Sequence, residues 1–590
     1  MTTHQPFVLA AGPALPETTE RVPATVLSRA ERHPDRPAVI CGDRTLSYRA
    51  LALAARATAA AIEAHPAGPA SRRIGVRASR SELTVAQVLG TWLSGRSAVL
   101  VNPQAPEQAL AHIRSSTGLL LTADPDADAL LHHPLPAGTP LPEPTPAQEA
   151  YVLHTSGSTG RPKGVSVSHP NLTASNSARL TAYQEFGTPV FLLLSPFHFD
   201  SSVAGVWGTL AAGGTLVVAD EQERRDPGAL LGRIARHGVT HLLTVPGFHA
   251  ELLASWAQHP DAAELLATLR VLVSAGEALP QSVIEQHFAL LPGVALANEY
   301  GPTECTVWST YRIYRRPARS TIGFPIPGTE LHLLDDQLRP VGPGETGQIA
   351  VSGPGVAFGY VGDRRRTAEV FVELAAPCGR VSRAYLTGDL GRWTDEEGLE
   401  FLGRVDNEVK VRGVRITIEA VEEALAAHPG VQAVAVAHDA ATSTLAAFVV
   451  PLPGSAPDAA SVRRTGELAL GPAGIPDRVR FVTVLPRTAH DKVDRAALLA
   501  DLAAEGAAAA DGNGAQPDGL AGQVARVWAE LLGTGVTRDC PQTFFELGGN
   551  SLTVLRLTRA LGKLAGHPVG VADVYRCATL DQQVELLSRV

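Results

Sequence analysis

Between about Ala38 and Val450, short β-rich runs, among them AVLVN, YVLHT, VFLLLSP, TLVVAD, THLLTV and RVLVSA, alternate with Ala- and Leu-rich stretches of helical spacing. That alternation is the strongest constraint on the fold, because strands joined through helices run parallel and are covered by those helices. Between Arg312 and Leu402 the pattern shifts to short strands with frequent Gly and Pro, such as LHLLDD and GQIAVSG, which suit a small β-rich subdomain. After FLGRVDNEVKVRGVRI come a helix (IEAVEEALAAHP) and strands (VQAVAVAHD, LAAFVVP, RVRFVTVL), enough for a compact α+β lobe ending near Ala500. Ala503 to Gly519, rich in Ala, Gly and Asp, reads as a flexible tether. Beyond it, LAGQVARVWAELLG, SLTVLRLTRALGKLAG and LDQQVELLSRV have helical apolar spacing and form a separate helical domain.

At 590 residues the chain exceeds what one core serves, so two or three domains are expected. The net charge of -9 carries no long basic block, which argues against nucleic acid or an anionic membrane as the main partner. Five cysteines without a CxxC pair suggest neither a disulfide framework nor a zinc site. The start lacks the charged and apolar regions of an export signal, and no apolar run approaches the roughly 20 residues that span a bilayer. A cytoplasmic location is the expectation. Only four of the 50 basic residues are lysines, Lys163, Lys410, Lys492 and Lys563, so a Lys here is either chance or a position that needs a compact ammonium.

TSGSTGRPKG, Thr155 to Gly164, follows a strand-like run, the setting of a glycine loop that turns backbone N–H groups toward an anion. It is not the GxxxxGK[ST] loop, because Pro162 precedes Lys163 and Gly164 follows it. Alone it reads equally as a surface loop. NEYGPTE (Asn298–Glu304) and YLTGDL (Tyr385–Leu390) offer an aromatic ring for a base, a carboxylate for ribose and a Glu for a hard cation; each alone is also an ordinary turn. GRVDNEVKVRGVRI and LPRTAHDKVDRAAL carry Lys410 and Lys492. FFELGGNSL (Phe544–Leu552) puts Ser551 at a helix start, as an N-cap or as an attachment point.

In this order the segments resemble the core motifs of adenylate-forming enzymes, specifically the adenylation domains of nonribosomal peptide synthetases, followed by the attachment loop of a peptidyl carrier protein. The resemblance spans roughly Val22 to Leu498 and then Phe544 to Leu552. It implies a multidomain chain: an α/β adenylate-forming fold with a large lobe of helix-covered sheets plus a small β-barrel (residues 1–405) and a small α+β lobe (406–502), then a linker (503–519) and an all-α four-helix-bundle carrier domain (520–590). It also implies ATP, Mg²⁺ and 4′-phosphopantetheine on Ser551.

By the same resemblance Thr155, Ser156, Gly157, Ser158, Thr159, Gly160 and Lys163 hold the β- and γ-phosphates. Tyr300 stacks on adenine, Asn298 reads its amino edge, and Asp389 and Arg404 bind ribose. Thr303 contacts the α-phosphate, Glu304 holds Mg²⁺, and Lys492 bridges the substrate carboxylate and α-phosphate. Asp406 is the hinge of the small lobe. The chain departs from the family at His490 and Asp491, where Asn-Gly is usual before the catalytic Lys, so Lys492 has an unaccustomed carboxylate beside it.

Asp200 in FHFDSSV stands where amino-acid-activating members place the partner of the α-ammonium group; the alternative is a helix cap. The side-chain pocket carries over as Asp200, Ser201, Ala204, Thr244, Val273, Ala275, Glu299, Val307, Trp308 and Lys492. Ala204 and Ala275 leave room for a ring, and Trp308 offers a wall. A carboxylate at Glu299 wants a donor from the ligand, so the expected substrate is histidine, then tyrosine. Expected partners are a phosphopantetheinyl transferase, a tailoring oxidase or downstream synthetase, and a small helper protein. The competing readings are an acyl- or aryl-CoA ligase and a carrier scaffold with an inactive adenylation lobe.

Overall fold

The computed structural model describes residues 8–16, 20–119, 121–126, 129–132, 148–155, 162–375, 381–405, 408–411, 414–439, 444–487, 493–495, 497–502, 519–532, 536–538, 540, 542–544, 547, 549, 551–567 and 569–588. The chain divides into two compact units, with the main break between Asp406 and Asn407.

The first unit holds the helix-covered sheets that the strand and helix alternation predicts. Its nine-stranded sheet has a parallel centre in the order Ala295–Tyr300, Val271–Ala275, His241–Thr244, Val190–Leu193, Thr215–Val218 and Pro37–Cys41, with antiparallel strands at both edges. A seven-stranded sheet runs parallel through Leu121–Asp124, Arg73–Arg77, Ser97–Val101 and Glu149–Thr155. The helices between the two sheets share one core with both. Trp92 and Trp207 meet there at 4.4 Å between ring centroids. Within the seven-stranded sheet a buried charge pair links two strands: Arg73 donates from two nitrogens to Glu149 at 2.7 and 2.8 Å, with both side chains almost fully buried.

Two helices frame the later site. His169–Ala182 starts at a reciprocal cap in which Ser168 and Asn171 satisfy each other's backbone. Asp200–Ala211 carries an acid in its first turn, where the helix dipole favours negative charge. Its small residues allow close packing; a Cβ at Gly205 would lie 2.4 Å from the Phe191 ring.

The third sheet of this unit is the small β subdomain, six strands built around the 14-residue strand Val381–Thr394. That strand pairs with Thr346–Ser352, Phe371–Ala375 and Gly398–Arg404. This is the small β subdomain expected beside the helix-covered sheets, and among the described residues its strands branch at Val381–Thr394.

The second unit contains the hairpin Glu408–Val411 with Val414–Thr417, a three-stranded sheet (Val431–Asp439, Thr444–Pro451, Arg478–Phe481) and two covering helices, Ile418–Ala426 and Ala459–Leu470. Beyond residue 518 the helices among the described residues are Gly519–Leu532, Ser551–Ala565, Val571–Arg576 and Leu580–Ser588. They close on a core of Val524, Trp528, Phe544, Leu557 and Leu561. Buried Arg463 of the small lobe donates to the carbonyls of Pro476, Asp477 and Leu547, the last at 2.8 Å and four residues ahead of Ser551. Among the described residues no helix is long and apolar enough to cross a membrane.

Candidate active site

The parallel strands of the nine-stranded sheet end at Thr244, Ala275 and Tyr300, and the motif residues gather at those carboxyl ends, where ligands of open α/β sheets bind. Register puts Ala275 opposite Glu299 and Val273 opposite Ala297, and Thr244 opposite Ser274. Past Tyr300 the chain enters a tight turn. Gly301 is required there, since a Cβ would lie 2.3 Å from the Trp308 Cα. Thr303–Cys305 form one turn of 3-10 helix, and then Thr306 and Val307 take φ of 56° and 86°. A β-branched residue at positive φ is strained, and such strain persists only where surrounding contacts hold it. Here Thr306 donates to the Gly355 carbonyl at 2.6 Å, and Ser175 donates to the Thr306 carbonyl at 2.9 Å.

The turn brings three of the expected groups together. Thr303 donates its hydroxyl to Asp200 Oδ2 at 2.6 Å across 103 residues of sequence. Glu304 is fully buried and accepts from the Tyr360 hydroxyl at 2.6 Å. The Tyr360 ring in turn lies 5.2 Å from the Lys163 ammonium, at the start of the strand Lys163–Ser168. Thr155 and Lys163 are paired Cα partners in an antiparallel ladder, so the glycine loop is the connection between their strands. Burial, then Glu304, pushes the Tyr360 hydroxyl far above its ordinary pKa and keeps it a donor.

A second cluster forms on the β subdomain. Asp389 and Arg404 are register partners and an ion pair. Tyr300 donates to the other Asp389 oxygen at 2.5 Å, and its ring stands 6.4 Å from that of Phe401. Asn298 spends its amide N–H on the Thr321 carbonyl at 2.8 Å, so its oxygen is the end suited to an amino group.

The expectation at Glu299 is corrected. Arg179 donates from both terminal nitrogens to its two oxygens at 2.7 and 2.8 Å, and Tyr183 donates to one of them as well. Trp308 is not an open wall either, because the Arg179 guanidinium lies 4.3 Å from its ring centroid. The donor that Glu299 wants is therefore supplied by the protein, and the premise that selected histidine or tyrosine falls. Burial lowers the Arg179 pKa, but the Glu299 carboxylate outweighs it and holds the group above its ordinary value. Ala204, Thr244 and Val273 are buried; Ser201, Ala275 and Val307 are partly exposed.

Arg179, Tyr183, Tyr360 and Phe401 are site residues that sequence reasoning missed. Their partners lie more than fifty residues away, so no local spacing announces them; for instance Arg179 and Glu299 are 120 apart and Tyr360 and Glu304 are 56 apart. Ser156, Gly157, Ser158, Thr159, Gly160, Asp406 and Lys492 lie outside the described residues. Ser551 opens the helix Ser551–Ala565.

Three family models match the chain in series: an AMP-binding enzyme over residues 26–361, an AMP-binding enzyme C-terminal domain over 420–492 and a phosphopantetheine attachment site over 522–587. The chain belongs to the AMP-binding enzymes, as a nonribosomal peptide synthetase adenylation domain joined to a carrier domain. It is 34% identical to syringomycin synthase SyrB1 of Pseudomonas syringae pv. syringae over 91% of this chain and 90% of that one. It is 36% identical to phosphinothricin tripeptide synthetase PhsB of Streptomyces viridochromogenes over 93% of this chain, but spans only 47% of that synthetase. Several long synthetases it matches exceed it in the same way, the chain spanning 16% of one and 9% of another. Its fold is similar to the solved structure of holo-PA1221, an NRPS protein containing adenylation and PCP domains bound to a vinylsulfonamide inhibitor (TM-score 0.77, 29% identity, 96% of each chain).

The family's cofactors are ATP with Mg²⁺ and, on the carrier domain, 4′-phosphopantetheine. The residues fit them: a buried carboxylate at Glu304 suits a hard cation, and the two aromatic rings beside the Asp389 carboxylate suit a nucleoside.

Proposed function

We propose that the chain activates an amino acid with ATP as an aminoacyl adenylate and passes the acyl group to its own carrier domain. The Thr303–Asp200 hydrogen bond carries this reading. It sets the carboxylate suited to an α-ammonium group directly beside the turn that bears Glu304, so an ammonium held at Asp200 leaves its own carboxylate facing the phosphate side.

In this reading a substrate carboxylate oxygen attacks the α-phosphorus, the bond to the bridging oxygen breaks, and pyrophosphate leaves. Two anions have to meet, so the work is electrostatic. Lys163 and the loop from Thr155 to Gly160 grip the leaving phosphates. Thr303 and Lys492 serve the α-phosphate, and Lys492 also meets the substrate carboxylate. Mg²⁺, when bound at Glu304, neutralises phosphate charge. Tyr300, Phe401 and Asn298 hold adenine; Asp389 and Arg404 hold ribose. Asp389 has acceptor capacity left for hydroxyls even with Tyr300 and Arg404 engaged. When attached at Ser551, 4′-phosphopantetheine supplies the thiol that receives the acyl group as AMP departs. Asp406 serves as the hinge of the small lobe that carries Lys492.

A phosphopantetheinyl transferase loads Ser551; a tailoring oxidase or downstream synthetase takes the product, with a small helper protein as a further partner. With Glu299 and the Trp308 face occupied, the substrate side chain is read by Ala204, Val273, Ala275 and Val307, which favours no ring in particular. Histidine and tyrosine enter the test as two amino acids among all.

The test is ATP–pyrophosphate exchange over all amino acids and over acyl and aryl acids, with mass spectrometry of the loaded holo-protein. One amino acid exchanging and adding its mass at Ser551 is the expected result. Exchange with an acyl acid alone establishes the CoA-ligase reading instead, and an intact protein that exchanges and loads no amino acid, with Lys492→Ala behaving identically, establishes the scaffold reading. Lys492→Ala reduces exchange by about 10²- to 10³-fold, as loss of one transition-state charge contact does. Asp200→Asn reduces it about a hundredfold or more, most of it in KM for the amino acid.

A further inference from the structure

Arg179 is not a chance neighbour of the pocket; the fold is cut to receive it. On the helix Asp200–Ala211, Gly208 faces its stem, and a Cβ there would stand 3.2 Å from Arg179 Cδ. Its head is clamped on two sides, by both oxygens of Glu299 and by the Trp308 face, with the side chains of Arg179 and Glu299 only 10% and 2% exposed. Tyr183, the residue that caps the end of the helix His169–Ala182, donates to the same carboxylate. A cavity borders this cluster, lined by Arg179, Tyr183, Phe191, Ala204, Gly208 and Val273, and Ala204 and Val273 are themselves pocket positions.

We infer that Arg179 is a specificity-determining residue: as the resident counter-ion of Glu299 it closes the side-chain pocket and restricts the substrate to amino acids with uncharged side chains. This rests on the amino-acid activation proposed above. The pair is neutral as a unit. A cationic side chain entering the pocket sheds its water and meets a carboxylate already spent on a guanidinium. An anionic one sheds its water and meets a guanidinium already spent on a carboxylate. Burying an uncompensated charge is costly in either case. Breaking the pair reverses this. Without Arg179 a buried carboxylate and the volume of a long side chain are both open, the environment for lysine or ornithine. Without the Glu299 charge a buried guanidinium is open, the environment for aspartate or glutamate.

The test is ATP–pyrophosphate exchange by the full chain over neutral, cationic and anionic amino acids, for the wild type, Arg179→Ala, Glu299→Gln and the neutral double variant Arg179→Met/Glu299→Gln. The wild type is expected to take a neutral side chain. Arg179→Ala gains about tenfold or more for lysine or ornithine, Glu299→Gln gains about tenfold or more for aspartate or glutamate, and the double variant gains neither. These shifts have opposite signs, which a merely structural role for Arg179 does not produce. If Arg179→Ala does not fold, as a melting curve shows, the anionic gain of Glu299→Gln decides alone. Exchange by the wild type with unchanged side-chain ranking in both single variants overturns the role of Arg179 only, as does a wild-type preference for a charged side chain. No exchange by the wild type with any amino acid overturns amino-acid activation itself and this inference with it.

Discussion

Tyr360 joins two motifs that are far apart in the chain, with its hydroxyl on Glu304 and its ring under the Lys163 ammonium. Removing the hydroxyl leaves the ring and its contact with Lys163 in place but takes away one hydrogen bond that orients the Glu304 carboxylate. Tyr360→Phe is therefore expected to raise the Mg²⁺ concentration needed for half-maximal exchange several-fold, with ATP binding in the absence of metal unchanged. A metal titration of both proteins checks it. Roles of this kind are invisible to motif reading: Glu304 and Lys163 each sit in a recognisable segment, whereas Tyr360 acquires its place only when the two-residue strand Gly359–Tyr360 pairs with Lys163–Ser168. Glu299 shows the opposite failure. Its pocket position was legible, but its state depended on Arg179 and Tyr183, which no sequence neighbour indicates.

At the scale of one element, the turn from Gly301 to Trp308 carries the residues proposed for phosphate, metal and pocket. Its strained Thr306 and Val307 are held by bonds to Gly355 and from Ser175, so the strain is maintained by the neighbours and not by the turn's own sequence. A methyl group at Gly301 has no room beside the Trp308 backbone. Gly301→Ala is expected to destabilise the protein by about 1–3 kcal/mol, as overpacking does, and to remove exchange activity while nucleotide affinity falls less. Thermal unfolding with parallel exchange and nucleotide-binding assays checks it; an unshifted melting point with full activity refutes the close approach. The NEYGPTE segment was legible as a functional turn. That Thr306 and Val307 turn back at positive φ and that the Arg179 guanidinium covers the Trp308 ring was not, because both depend on residues distant in the chain.

At the scale of the molecule, the first unit buries histidines that the mechanism does not use. His169 and His241 are 7% and 6% exposed, and burial, followed by nearby Arg21 for the first and Arg270 and Arg179 for the second, pushes both down to about 4. His249 and His287, fully buried and 3.2 Å apart, are lowered by burial as well. Both His169 and His241 stay neutral in the fold while the unfolded chain takes up protons near pH 6.5. Their contribution to stability is complete above pH 6.5 and is lost as pH falls from there toward 4, by about 1.4 kcal/mol per pH unit for each. The melting temperature is expected to fall between pH 6.5 and 4.5, and less steeply in His169→Gln/His241→Gln; parallel pH profiles for the two proteins refute it. What the sequence by itself determined is the α/β class, the order of adenylation and carrier domains, and the nucleotide motifs, since periodicity and the chemistry of contiguous segments are local properties. What only the tertiary structure decided is the pairing of Glu299 with Arg179, the branching of the small β sheet, and the link from Asp200 to Thr303. Each depends on residues that meet across tens to more than a hundred positions, and the burial that sets their energy exists only once the chain has folded.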